Sequence, residues 1–306
     1  MELSFIHWLR SRVASHPQVP LGIGDDAALV SLSPGHVSVV TTDMLMDGVD
    51  FRLAEVSPRL VGRKSLAVNL SDLAAMGARP VAAFVSVSLP RAGGEQLARE
   101  LYEGIFELAA EFDTALAGGD TNSWDGPLVI NITAVGEVEQ LRAFRRGGGQ
   151  PEDQILVTGD FGGSILGKHF SFTPRLREAR WLAEHAEVHA AMDVSDGLTL
   201  DLSRLVAECG RGAEIDLHAV PISPAAKQLA ESTGKSPLEH ALGDGEDFEL
   251  ILAVSAPEAE RLLAAQPLAV PLTRIGRLVK EPGLWTVAPN GTRQPLAPRG
   301  YEHRLD

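Results

Sequence analysis

The chain has 306 residues, 44% of them hydrophobic and 22% charged, which supplies ample apolar material for a core and suggests two domains of about 150 residues each. Its formal charge of −14 excludes a nucleic-acid binder built on a basic stripe, and any phosphate substrate would need divalent metal to mediate the contact. One cysteine, Cys209, excludes a disulfide framework and a cysteine-based zinc site, and no apolar run approaches the roughly 18 residues of a membrane span.

The opening MELSFIHWLRSR predicts an amphipathic helix on Phe5, Ile6, Leu9 and Val13. It carries no signal-peptide pattern, so a soluble, cytoplasmic protein is expected. Between Leu21 and Val30, Asp25 and Asp26 stand between glycines and a strand, where an Asx turn is the plain reading. The β-rich run from His36 ends in Thr41-Thr42-Asp43 and places hydroxyls and a carboxylate at a predicted strand terminus.

Helical spacing from Leu60 to Gly77 sets Ser65, Asn69 and Asp72 on one face, with Leu66, Leu70, Leu73 and Ala74 as the apolar remainder. No Lys, Arg or Glu lies between Ser65 and Ala78. Two readings follow: a surface helix with a short polar stripe, or an apolar-walled helix turning one carboxylate into a polar cavity. Val81 to Leu89 reads as a strand closed by Pro90, and Glu95 to Phe112 as a helix in which Tyr102 is a core or boundary aromatic by spacing alone.

Ala115 to Ala117 predicts a short strand entering a Gly118-Gly119-Asp120-Thr121 turn, and Leu128 to Val138 a returning strand. Glycine and proline then crowd the stretch from Arg142 to Asp153, which puts the domain junction near Arg146, giving domains 1–145 and 146–306. After a strand from Gln154 to Thr158, the loop Gly159 to Ser164 has the glycines of a phosphate cradle but no P-loop lysine. His185 and His189 fall four apart on a predicted helix from Pro174 to Glu187, where a solvated face is expected rather than zinc. An apolar strand ends in Asp193, Ser195 or Asp196 is placed to cap the helix that runs to Cys209, and Gly243 to Glu249 precedes a strand from Leu250 to Val254.

These acids share a grammar: each sits beside Gly, Ser or Thr, at an element end or on a helix without cationic partners. Hard divalent cations take such oxygen ligands, and Mg²⁺ binds through a few carboxylates plus substrate phosphates. Metal-assisted phosphate chemistry is therefore the expectation from the residues.

The segments GIGDDAALV, TTDMLMDGVDF, KSLAVNLSDLAAMGARP, GGDT, DVSDGL and GEDFEL, in that order, resemble the thiamine-monophosphate kinase family. That family belongs with aminoimidazole-ribonucleotide synthetase and selenophosphate synthetase. The resemblance implies a mixed α/β, two-domain fold: an N-terminal ATP- and magnesium-binding sheet domain that forms a homodimer, and a C-terminal α/β domain that completes the nucleotide and substrate site. It implies transfer of the γ-phosphoryl group of ATP to thiamine monophosphate. Motif by motif, Asp26, Thr41, Thr42, Asp43, Asp72, Asp120, Asp193 and Asp196 match the family's magnesium ligands. Tyr102, Gly119, Asp120, Arg146 and Ser195 match its ATP contacts, and Glu246 and Tyr301 its substrate contacts. Asp72, Asp193 and Arg146 are the expected catalytic set.

Three departures bear on the acceptor. Asp50 stands where the family has a substrate-contacting histidine, Asp244 adds an acid beside Glu246, and the segment from Gly159 to Pro174 is short ahead of its His169-to-Arg175 element. The alternatives are a same-fold enzyme with a different small acceptor and a non-catalytic nucleotide-binding paralogue.

Overall fold

The computed structural model describes residues 2–287 and 291–303. The chain forms two compact units, Met1–Leu73 with Ala78–Leu141, and Ala74–Gly77 with Arg142–Asp306.

The first unit runs α1 (Glu2–Arg12), β1 (His36–Met46), α2 (Pro58–Ala75), β2 (Arg79–Pro90), α3 (Gly94–Glu111), β3 (Ala115–Trp124) and β4 (Val129–Glu139). Its four strands lie in the order β1-β4-β2-β3, antiparallel except for the β2–β3 pair. Alternation sets the two faces: Ile130, Ile132 and Ala134 of β4 are buried, while the intervening positions are half-buried. Leu73 of α2 lies over Gly136 of β4, so α2 covers the face to which the buried residues point.

α2 and α3 meet backbone to backbone. A Cβ on Gly62 would stand 1.9 Å from the Leu101 carbonyl oxygen, and one on Gly104 would stand 1.8 Å from that of Arg59. Only glycine permits so close a crossing.

This burial overturns the surface-helix reading of α2. Ser65, Asn69 and Ser71 are buried, with the Ser65 hydroxyl donating to the Val61 carbonyl and the Asn69 amide to that of Ser65. The helix carries no Lys, Arg or Glu beyond Ser65 because these positions meet protein rather than water. Lys64 is buried too, its ammonium donating to the Asp50 carbonyl at 3.0 Å.

Two predicted strand ends are mid-strand positions. β1 pairs with β4 as far as Met46, and β3 pairs with β2 as far as Trp124. Thr41 to Asp43 and Gly118 to Thr121 therefore lie inside strands, and a register shift at Ala117 takes up the irregularity read as a turn.

The second unit comprises β5 (Gln154–Thr158), α4 (Lys168–Ser171), α5 (Leu176–His185), β6 (Val188–Asp193), α6 (Leu198–Glu208), β7 (Gly212–Ile215), α7 (Pro224–Thr233), α8 (Pro237–Gly243), β8 (Leu250–Val254), α9 (Ala256–Ala265), β9 (Leu272–Val279), β10 (Gly283–Val287) and β11 (Arg293–Pro295). Its seven-stranded sheet has the order β11-β10-β7-β9-β5-β8-β6, antiparallel but for β10–β7. α6 packs on β6, β7 and β10, and α9 on β5 and β9. Ile155, Val157, Met192, Leu202, Leu205, Ile251 and Ile275 are among the core residues. His185 and His189 do not share a helix: the first ends α5, and the second lies in β6 with Nδ1 2.8 Å from Asp153. No described helix is long and apolar enough to cross a membrane.

Candidate active site

In the first unit, the pleat directs Thr41 and Asp43 toward α2 and Thr42 away from it. The Thr41 hydroxyl donates to the Asp72 carboxylate, joining β1 to the helix. Thr42 instead accepts from Asn131 and Thr133 of β4, each at 3.1 Å, on the opposite face. Asp43 pairs across the sheet with Ile132, Ile132 with Val85, and Val85 with Gly119. Asp43 and Gly119 thus stand at matching heights on opposite edge strands, about 14 Å apart by three strand spacings, and Asp120 lies one residue farther along β3, in register with Ser86.

Gly119 has φ 150°, and a Cβ there would fall 1.9 Å from the Val85 carbonyl oxygen. The close approach its sequence context predicts is to the neighbouring strand. Asp120 accepts the Thr121 amide, and Asp26 follows Asp25, whose carboxylate accepts the Asp26 amide. No cationic side chain pairs with Asp26 or Asp120 among the described residues. Tyr102 is buried against Phe5, edge to face at 5.5 Å, and burial pushes its phenol well above the ordinary range.

Asp50 turns into its own loop. Its carboxylate accepts the Met46 amide at 2.7 Å, while Asp47 accepts that of Leu53 at 3.1 Å. The acid at the family's histidine position shapes the 46–53 loop.

In the second unit, Asp193 ends β6 and is buried. The helix after it is not capped by Ser195 or Asp196. Gly197 is the N-cap, without a side-chain cap bond, and the Asp201 carboxylate folds back to accept the amides of Asp196 and Gly197. Burial pushes the Asp201 carboxyl up, against those amides and Arg204, which favour its charge. Arg204 bridges Asp201 and Asp196. Sequence reasoning missed both; the repeated acid five residues on was the available signal.

Arg146 is exposed and forms no ion pair among the described residues. Its loop is tied down around it: the Ala191 amide donates to the Arg145 carbonyl at 2.9 Å, and the Cys209 thiol to that of Arg146 at 3.0 Å. A guanidinium so presented can take phosphate oxygens.

The stretch 244–249 pairs almost residue by residue with 158–175. Asp244 accepts the Gly163 amide at 3.0 Å, and Asp247 the Gly162 amide at 2.9 Å and the Ser164 hydroxyl at 2.6 Å. The two glycine amides the sequence offers as a phosphate cradle are therefore taken by the chain's own carboxylates. Glu246, at φ 54°, lies 2.9 Å from His169 Nδ1. Phe248 stacks on Phe172, and Glu249 is gripped by Arg175, Lys168 and Thr158. The Glu246 amide donates to the Ser195 carbonyl, and the exposed Tyr301 donates its amide to that of Asp196 at 2.9 Å.

Among the described residues no three or more His, Cys, Asp or Glu side chains gather to hold a metal. The candidate donors are carboxylate and hydroxyl oxygens, without thiolate or imidazole. That chemistry fits Mg²⁺ when substrate phosphates complete the coordination.

The two units correspond to the two domains of one protein class. Residues 24–138 match the AIR synthase related protein, N-terminal domain, and residues 143–286 match its C-terminal domain. Thiamine-monophosphate kinase of Rhodopirellula baltica is 46% identical over 311 residues, spanning 99% of this chain and 97% of the relative. The crystal structure of thiamine-monophosphate kinase from Stenotrophomonas maltophilia K279a has TM-score 0.81 and 36% identity, covering 92% of this chain and 95% of that one. AaThiL complexed with AMPPCP and TMP gives TM-score 0.78 at 28% identity, over 92% of each chain. The chain belongs to the thiamine-monophosphate kinase family.

Proposed function

We propose that this protein transfers the γ-phosphoryl group of ATP directly to the phosphate of thiamine monophosphate, giving thiamine diphosphate. The observation that carries this reading is the 46% identity to a thiamine-monophosphate kinase across essentially the whole of both chains. The all-oxygen donor set agrees with it.

The acceptor phosphate is ionised near neutral pH, so no general base is required and catalysis reduces to positioning and charge neutralisation. Asp26, Thr41, Thr42, Asp43, Asp72 and Asp120 of the first unit, with Asp193 and Asp196 of the second, are the residues that would hold Mg²⁺. The ions, when bound, offset the charge on the nucleotide phosphates. Arg146, exposed and without an ion pair among the described residues, would orient phosphate oxygens in the manner of a bidentate donor. Tyr102, Gly119, Asp120 and Ser195 are assigned to the nucleotide, and Glu246, Tyr301 and Asp50 to the acceptor. We place the protein in the cytoplasm as a homodimer formed through the β1 side of the first unit.

ADP release, with thiamine diphosphate followed by chromatography, tests the assignment. Release should depend on thiamine monophosphate and cease in excess chelator. ADP formed without any thiamine diphosphate would favour another acceptor, and undiminished turnover in chelator would remove the metal.

A further inference from the structure

Glu246 holds a backbone conformation that few non-glycine residues adopt, at φ 54°, with its amide bonded to the Ser195 carbonyl. Its side chain is about one-third exposed, so the carboxylate is presented at a surface rather than sealed in the core. What contacts it from behind is a buried imidazole: His169, in α4, is 4% exposed and sets Nδ1 2.9 Å from Glu246 Oε2. A carboxylate ion only accepts, so in this pair Nδ1–H is the donor.

The His169 ring packs against Phe170 at 3.9 Å. α4 is in turn anchored on both sides: Ser164 bonds Asp247 before it, and Phe172 and Arg175 meet Phe248 and Glu249 after it. The imidazole therefore has little freedom to follow the carboxylate.

We propose that His169 is a positioning residue for acceptor binding. Its Nδ1–H fixes the Glu246 carboxylate in one orientation and so sets the affinity for the phosphate-bearing acceptor without touching it. This rests on the assignment of Glu246 to the acceptor under the proposed function. The chemistry is that of preorganisation: a long, partly exposed carboxylate that must be ordered on binding loses affinity in proportion to the rotamer freedom it gives up.

The test is a double-mutant cycle read in KM for thiamine monophosphate at saturating ATP, with thermal melting of every variant. His169→Phe keeps a ring and removes the donor; KM should rise about tenfold, with kcat and the KM for ATP held within about twofold. His169→Met, a second variant without the donor, should show the same shift, which guards against a packing fault peculiar to Phe. His169→Asn offers an amide N–H at the position of Nδ1 and should return KM to within about threefold of wild type. In a Glu246→Gln background, His169→Phe should change KM by less than about twofold, because the two residues act as one unit.

Equal effects of His169→Phe in both backgrounds would overturn the proposal, as would an unchanged KM in the wild-type background or a loss of kcat alone. Wild-type turnover of thiamine monophosphate with multiplicative effects removes the proposal and leaves the acceptor assignment standing. Absence of wild-type turnover removes both.

Discussion

Asp247 and Glu249 lie two residues apart, both buried, and shift in opposite directions because Arg175 and Lys168 form ion pairs with Glu249, while Asp247 feels only the field of Lys168. Burial pushes the Asp247 carboxyl up to about 7, against the Ser164 hydroxyl and the Gly162 amide, which favour its charge. Burial opposes the Glu249 charge as well, but Arg175 and Lys168 outweigh it and hold that carboxyl below its ordinary value. A raised carboxyl binds its proton more tightly in the folded state, so the stability it lends is full below the unfolded value near pH 4 and lost as pH rises through about 7. Glu249 acts only below the ordinary carboxylate range, so of this pair Asp247 alone acts between about pH 4 and about 7. Asp247→Asn should flatten the fall of Tm across that window, and an unchanged slope in thermal melts would contradict the assignment. At Asp72, Asn can still accept the Thr41 hydroxyl, so Asp72→Asn should keep Tm within about 2 °C while turnover falls at least about a hundredfold. Sequence singled out Asp72 through the missing charges around it. It did not single out Asp201 or Arg204, whose partners lie within eight residues and become neighbours only through the turn of the helix, and it gave His169 no partner because Glu246 is far along the chain.

At the level of elements, strand and helix kinds were legible from periodicity, because alternation and the 3.6-residue repeat follow from burial of one face. Their ends were less so. β1 runs through residues that local chemistry assigns to a strand end, and β3 through residues it assigns to a turn, since pairing with β4 and β2 continues regardless. The contact of α2 with α3 is likewise silent in the sequence: Gly62 and Gly104 sit mid-helix, where glycine is locally unfavourable by about 1 kcal/mol. Gly104→Ala would gain that propensity and yet force the two backbones apart. We expect a net loss of about 2–4 kcal/mol in urea unfolding, and a variant as stable as wild type would rule out the close crossing. The pairing of 158–175 with 244–249 was also hidden, although each stretch drew notice separately.

For the whole molecule, the order of motifs was the legible feature, and it led to the family that the full-length relatives bear out. Assembly was not legible to the same degree. β1 is an edge strand, and Val40 and Met44 on its outer face are 61% and 59% exposed. Exposed apolar positions on an edge strand are managed in nature by covering them. Light scattering at micromolar protein should give twice the 32.6 kDa of the chain, and Val40→Glu with Met44→Glu should return the single-chain mass. A wild-type monomer would contradict the dimer. The glycine-mediated crossing of α2 and α3 has a mechanical consequence too. Two backbones in direct contact leave no layer of side chains to act as a lubricant, and interlocked carbonyls resist both sliding and rotation. The helix that bears Asp72 is thus a fixed rail within its unit, and whatever moves as ligands come and go must be borne by the loops around it, among them the 46–53 turn that Asp47 and Asp50 pin from within.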